Sequence, residues 1–131
     1  MANSWQQPVS GEPSAGTLHL LYDDQVLGTG APATWANVTT YDASSIVPVG
    51  AKAVLLALAA RTNSGNATTV YVADSGGTTV YQRFQLEGSG AVFERFAWSA
   101  LVPLDANRKF YLSKSTSDIS AVRVDVVGYY I

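Results

Sequence analysis

The chain has 131 residues, enough for one domain with its own core and no need for a second. Apolar and aromatic residues make up 47% and charged residues 14%, a balance too hydrophobic and too charge-poor for a disordered chain. Eight Lys and Arg against ten Asp and Glu give a net charge of −2 and no basic stripe, which argues against nucleic acid and anionic membranes as partners. No cysteine is present, so disulfides, thiolate metal sites and cysteine nucleophiles are excluded together. The first residues, Met1 to Pro8, show no basic stretch followed by an apolar one. The longest apolar run, Ala53 to Ala60, is far short of the ~20 residues that span a bilayer. The expectation is a protein made in a cytoplasm and not inserted in a membrane.

In chain order, residues 1–16 carry Pro8, Gly11, Pro13 and Gly16 among Ser and Gln. Such a composition forms no regular element but lies extended against another surface, so an N-terminal arm (1–16) is expected ahead of a single β-sandwich (17–131). Helical periodicity is missing throughout. Short runs rich in Val, Thr, Tyr and Phe, broken by Gly, Asn, Asp, Ser or Pro, predict strands at 17–22, 33–41, 52–62, 68–73, 78–86, 92–98, 109–113 and 121–130. About eight strands suit an all-β, antiparallel, jelly-roll-like sandwich. The stretch Ala51–Ala60 is apolar on both alternating faces; its Ala and Leu content also suits a short buried helix, but Pro48 and Gly50 before it and Asn63–Asn66 after it favour a central strand covered on both sides. Its Ala-rich face implies close approach by a neighbouring sheet or subunit. Glu87–Gly90 reads as a hairpin loop joining 78–86 to 92–98.

Nothing in the sequence builds a specific catalytic set, and no enzyme activity, cofactor or metal is expected. His19 is the only histidine, so a zinc site would lack its usual nitrogen and sulfur ligands; a half-exposed strand position is the simpler reading. No Gly-x-Ser-x-Gly elbow occurs. The acids Asp23, Asp24, Asp74 and Asp118 stand in loop-like contexts and read as turn acids, with calcium binding as the alternative. A glycosidase would need two carboxylates within about 10 Å lining a cleft. Arg83, Glu94 and Arg95 lie among aromatic residues and are candidates for a subunit interface; the alternative is a solvated sheet face with ordinary cross-strand charge pairs.

Two stretches carry a resemblance. Ile46–Leu56, with Val-Pro-Val-Gly-Ala-Lys-Ala-Val from Val47 to Val54, resembles a strand entry found in small β-sandwich domains of bacterial surface proteins and of tailed-phage virion proteins. Val124–Tyr130 is similar to the terminal strand of the same group. A cysteine-free, unsignalled sandwich with an extended arm is closest to the head decoration, or cement, proteins of phages. The resemblance implies a virion structural protein that forms trimers and whose arm grips the major capsid protein. Trp5, Gln6, Gln7, Pro8 and Val9 are the candidate contact residues, since Trp is favoured at interface centres and an extended Pro-bearing strand can add to a sheet edge; the alternative for Trp5 is that it folds back on its own sandwich. The alternative is a tail, neck or fibre component, or a glycan-binding sandwich for host attachment, in which Trp35, Tyr41 or Trp98 stack on sugars unless they belong to the core.

Overall fold

The computed structural model describes residues 16–30, 32–33, 37–62, 67–87, 95–115 and 119–131. These residues form eight strands and no helix: β1 (Leu18–Gly28), β2 (Thr39–Asp42), β3 (Ala53–Thr62), β4 (Ala67–Ala73), β5 (Val80–Glu87), β6 (Arg95–Pro103), β7 (Lys109–Lys114) and β8 (Ile119–Tyr130). They make two four-stranded sheets, ordered β1-β8-β3-β6 and β2-β7-β4-β5, in which every neighbouring pair is antiparallel. First strand pairs with last, second with seventh, third with sixth and fourth with fifth. This is a long hairpin rolled on itself, the jelly-roll order.

Alternation sets which side of each strand is buried. Val54, Leu56, Leu58 and Ala60 of β3 and Val122, Val124 and Val126 of β8 face Val70 and Val72 of β4 and Phe110 and Leu112 of β7 in one core. Tyr41 stacks on its cross-strand partner Phe110, ring centroids 5.1 Å apart, and Phe84 of one sheet meets Trp98 of the other at 5.5 Å. Each of the fully buried Val and Leu side chains contributes about 1.5–3 kcal/mol.

One turn feeds the central strand as its residues imply. The amide of Ala51 donates to the carbonyl of Pro48, and Gly50 lies at φ 94°, the left-handed conformation that the third position of such a turn requires. At the other end of the sequence the β3–β8 ladder slips between Leu55 and Leu56, opposite Val126 and Gly128.

Several expectations are corrected. Glu87–Gly90 does not close a hairpin: β5 and β6 belong to different sheets, and the one connection within a sheet is β4 to β5. Turn-forming residues specify a reversal, not which sheet the next strand joins. The strand expected at 92–98, of which 92–94 lie outside the described residues, continues to Pro103, at the end of an edge strand where a missing amide hydrogen is tolerated. The strand expected at 33–41 is confined to Thr39–Asp42, and β1 runs to Gly28 rather than Tyr22, with irregular register after Leu20 and Val26. The expected arm lies outside the described residues up to residue 15; the chain enters at Gly16, whose amide donates to the carbonyl of Ile131.

Candidate interaction surfaces

The two sheets differ on their outer faces. In β2-β7-β4-β5 the residues alternating with the core are Thr40, Asp42, Lys109, Tyr111, Thr69, Tyr71, Arg83 and Gln85, the polar pattern of a solvated face. In β1-β8-β3-β6 the cross-strand rows on the outer side read Leu18, Tyr130, Ala53, Pro103; then Leu20, Gly128, Leu55, Leu101; then Val26, Asp125, Ala57, Ser99. Leu20 is 70% exposed and Leu101 47%. The one charge in these rows, Asp125, is buried and accepts two hydrogen bonds from Nε of Arg123, at 2.9 and 3.1 Å, so it is neutralised within the chain. Four strands at ~4.8 Å and five residues at ~3.3 Å make a face of roughly 300 Å², within the range of the largest apolar patches that monomers show, which are often functional.

The Ala-rich register of β3 therefore points outward. Val54, Leu56 and Leu58 take the inner side, while Ala53, Ala57 and Ala59 carry the outer one, so the second sheet covers only one side of this strand. The expectation of cover on both sides fails among the described residues.

A second feature lies at the end of the sandwich where the β2–β3, β4–β5 and β6–β7 connections meet. Asp105 opens the β6–β7 turn: its Oδ1 accepts from the amides of Asn107 at 2.8 Å and Lys109 at 2.9 Å, and its Oδ2 from the Tyr111 hydroxyl. Arg108 closes the turn at φ 59° and extends Nη1 to the carbonyls of Ser44 and Val47, which ties the turn to the β2–β3 loop. Asp74 organises the β4–β5 turn, accepting from the amide and hydroxyl of Thr78. A cavity of about 200 Å³ opens between these turns, lined by Asp74, Ser75, Tyr81, Leu104, Lys109 and Tyr111, with Asp105 in its wall.

Both acids are shifted down from the usual carboxylate range. Burial pushes the Asp105 carboxyl up, but the hydrogen bonds from Tyr111 and from the Lys109 and Asn107 amides outweigh it and leave it below the usual carboxylate range. The Asp74 carboxyl is lowered chiefly by the backbone hydrogen bond from Thr79, with Thr78 adding to it. Tyr111 is pushed up to about 12, first by its bond to Asp105 and then by burial.

The residues singled out in the sequence fall as follows. Trp5, Gln6, Gln7, Pro8, Val9, Trp35 and Glu94 lie outside the described residues. Arg83 is exposed on β5; Arg95 lies on β6, opposite Arg61 in register. They stand on edge strands of opposite sheets, joined where Gln82 Nε2 donates to the Leu101 carbonyl. Tyr41 is buried and Trp98 packs against the core, so neither is a sugar platform. His19 is half-buried and stacks on Tyr129 at 5.2 Å. The sequence reading missed the apolar outer rows, although Leu18 and Leu20 alternating with His19 was a visible signal, and it missed Asp105, Arg108 and Tyr111. The chain matches no family model and no curated protein.

Proposed function

We propose that this chain is a non-enzymatic structural protein of a virion, of the head decoration type, which assembles through the outer face of β1-β8-β3-β6. The observation that carries the reading is that face. One sheet of the sandwich is polar outside and the other is apolar outside, and apolar surface of this extent gains free energy when another protein covers it. Because its central rows carry no uncompensated charge, the face suits an equally neutral surface, and a further copy of the chain presents one. A trimer built on this face leaves residues 1–15, with Trp5, Gln6, Gln7, Pro8 and Val9, to contact the major capsid protein. A partner that binds only the assembled shell stabilises that shell by mass action.

The test uses heads assembled from the major capsid protein of the same genome. Purified chain is sedimented with them and their rupture temperature is recorded. Decoration predicts saturable co-sedimentation and a raised rupture temperature, both lost when residues 1–15 are removed. A chain that stays in the supernatant with every form of the head overturns the reading.

A further inference from the structure

The cavity between the β4–β5 and β6–β7 turns has the makings of a ligand site that the assembly reading does not use. Its volume of about 200 Å³ is below the roughly 300–1,000 Å³ of sites that enclose drug-sized molecules, so it suits a single small ring. A second cavity of about 580 Å³ adjoins it, shares Leu104 and Asp105 with it, and is lined also by Ser44, Lys52, Asn107 and Arg108. The two form a stepped depression across one end of the sandwich.

The lining chemistry discriminates among ligands. An anion entering the smaller cavity meets two carboxylates, Asp74 and Asp105. A hard cation meets the Lys109 ammonium, and finds carboxylate oxygens already accepting from Thr78, Asn107, Tyr111 and the Lys109 amide. A neutral polyhydroxylated ring meets neither objection. Its hydroxyls donate to the remaining lone pairs of the carboxylates and accept from Lys109 and from the Ser75 hydroxyl. Its C–H face has apolar partners in Pro103, Leu104 and the ring of Tyr81, which is 51% exposed. The acids are fixed in advance by their turns, so little side-chain freedom is lost on binding.

We propose that this cleft binds one ring of a neutral saccharide, with the next ring of the chain seated in the adjoining cavity. The site requires no capsid contact and shares only Pro103 with the apolar face, so its failure leaves the assembly reading intact and the converse holds too.

The experiment is amide-resolved NMR titration of the full chain with neutral di- to tetrasaccharides of glucose, galactose, mannose and N-acetylglucosamine, with their acidic counterparts as a separate arm. The expected result is saturable shifts confined to residues 44, 49–52, 74–81 and 103–111 for at least one neutral saccharide. Tyr81→Ala and Lys109→Met then each weaken binding by about tenfold, while Gln85→Ala, on the polar outer face, leaves it unchanged. Melting curves of the variants that match the parent show that the fold is kept. No saturable shift with any neutral saccharide overturns the proposal. So do shifts elsewhere in the chain, a response to acidic saccharides alone, or binding that Tyr81→Ala leaves intact.

Discussion

Arg108 Nη1 lies 2.8 Å from the carbonyl oxygen of Val47, and the residue that makes this reach adopts a left-handed backbone at φ 59°. A β-carbon in that conformation costs ~1–2 kcal/mol, and glycine is the residue that avoids it. The arginine is retained against that cost because a charged donor spans two carbonyls, Ser44 and Val47, on a loop 61 to 64 residues away in sequence.

The consequence is an unusual order of variants. Arg108→Gly loses the bridge but relieves the backbone, whereas Arg108→Ala loses the bridge and keeps the strain. Arg108→Ala is expected to be less stable than Arg108→Gly by about 1 kcal/mol, read from urea midpoints with an unchanged slope. Equal midpoints, or Ala above Gly, refute the assignment of strain to this position.

Gly128 tests how closely β1 lies on β8. A β-carbon there would sit 2.9 Å from the His19 carbonyl oxygen, which is backbone and has nowhere to move without shifting the strand. Gly128→Ala should cost about 1–3 kcal/mol, the usual range for overpacking. Gly30, where a β-carbon meets nothing within 4 Å, is the control, and Gly30→Ala should stay within ~0.5 kcal/mol of the parent.

These positions show what sequence carries and what it withholds. The strands expected at 121–130 and 68–73 were legible because runs rich in Val, Thr and Tyr fit a pleated, half-buried surface, and the turn at Pro48–Ala51 was legible because its glycine is required by the backbone. Sheet membership was not: Glu87–Gly90 has hairpin residues yet its strands part to different sheets, a choice made by long-range packing. The apolar outer face was hidden by the same property that makes it interesting, since Ala53–Ala60 is apolar on both sides and alternation falls silent there. The Asp105, Arg108 and Tyr111 cluster joins residues whose roles depend on one φ angle and on a loop far away in sequence.

Leu101, at the β6 end of the second row of the apolar face, separates folding from association. Its side chain points away from the core, so Leu101→Arg should change monomer stability by no more than ~0.5 kcal/mol. If copies of the chain meet on this face, the same change shifts the sedimenting species from oligomer to monomer over a hundredfold concentration range. A parent chain that is monomeric throughout, or an oligomer indifferent to Leu101→Arg, removes the face from the assembly.

The Tyr111–Asp105 pair makes stability depend on pH at both ends of the scale. Tyr111 is raised in the folded chain to about 12, above the ~10 of an unfolded tyrosine, so its contribution is complete below pH ~10 and is lost as pH rises towards 12. Asp105 is lowered, so its contribution is complete above the unfolded value of ~3.9 and is lost as pH falls through its folded pKa. Burial also raises Tyr41, so the parent should lose stability above pH 10 through two tyrosines. Melting temperatures taken in steps from pH 2 to 12 should therefore fall less steeply above pH 10 in Tyr111→Phe than in the parent. In Asp105→Asn the curve should flatten in both windows, because the acid that titrates and the charged acceptor that raises Tyr111 are replaced by a neutral amide. Parallel curves for parent and Tyr111→Phe above pH 10 would mean that the hydroxyl does not bind Asp105 in solution, and the preorganised wall of the cleft would then have to be rebuilt from other contacts.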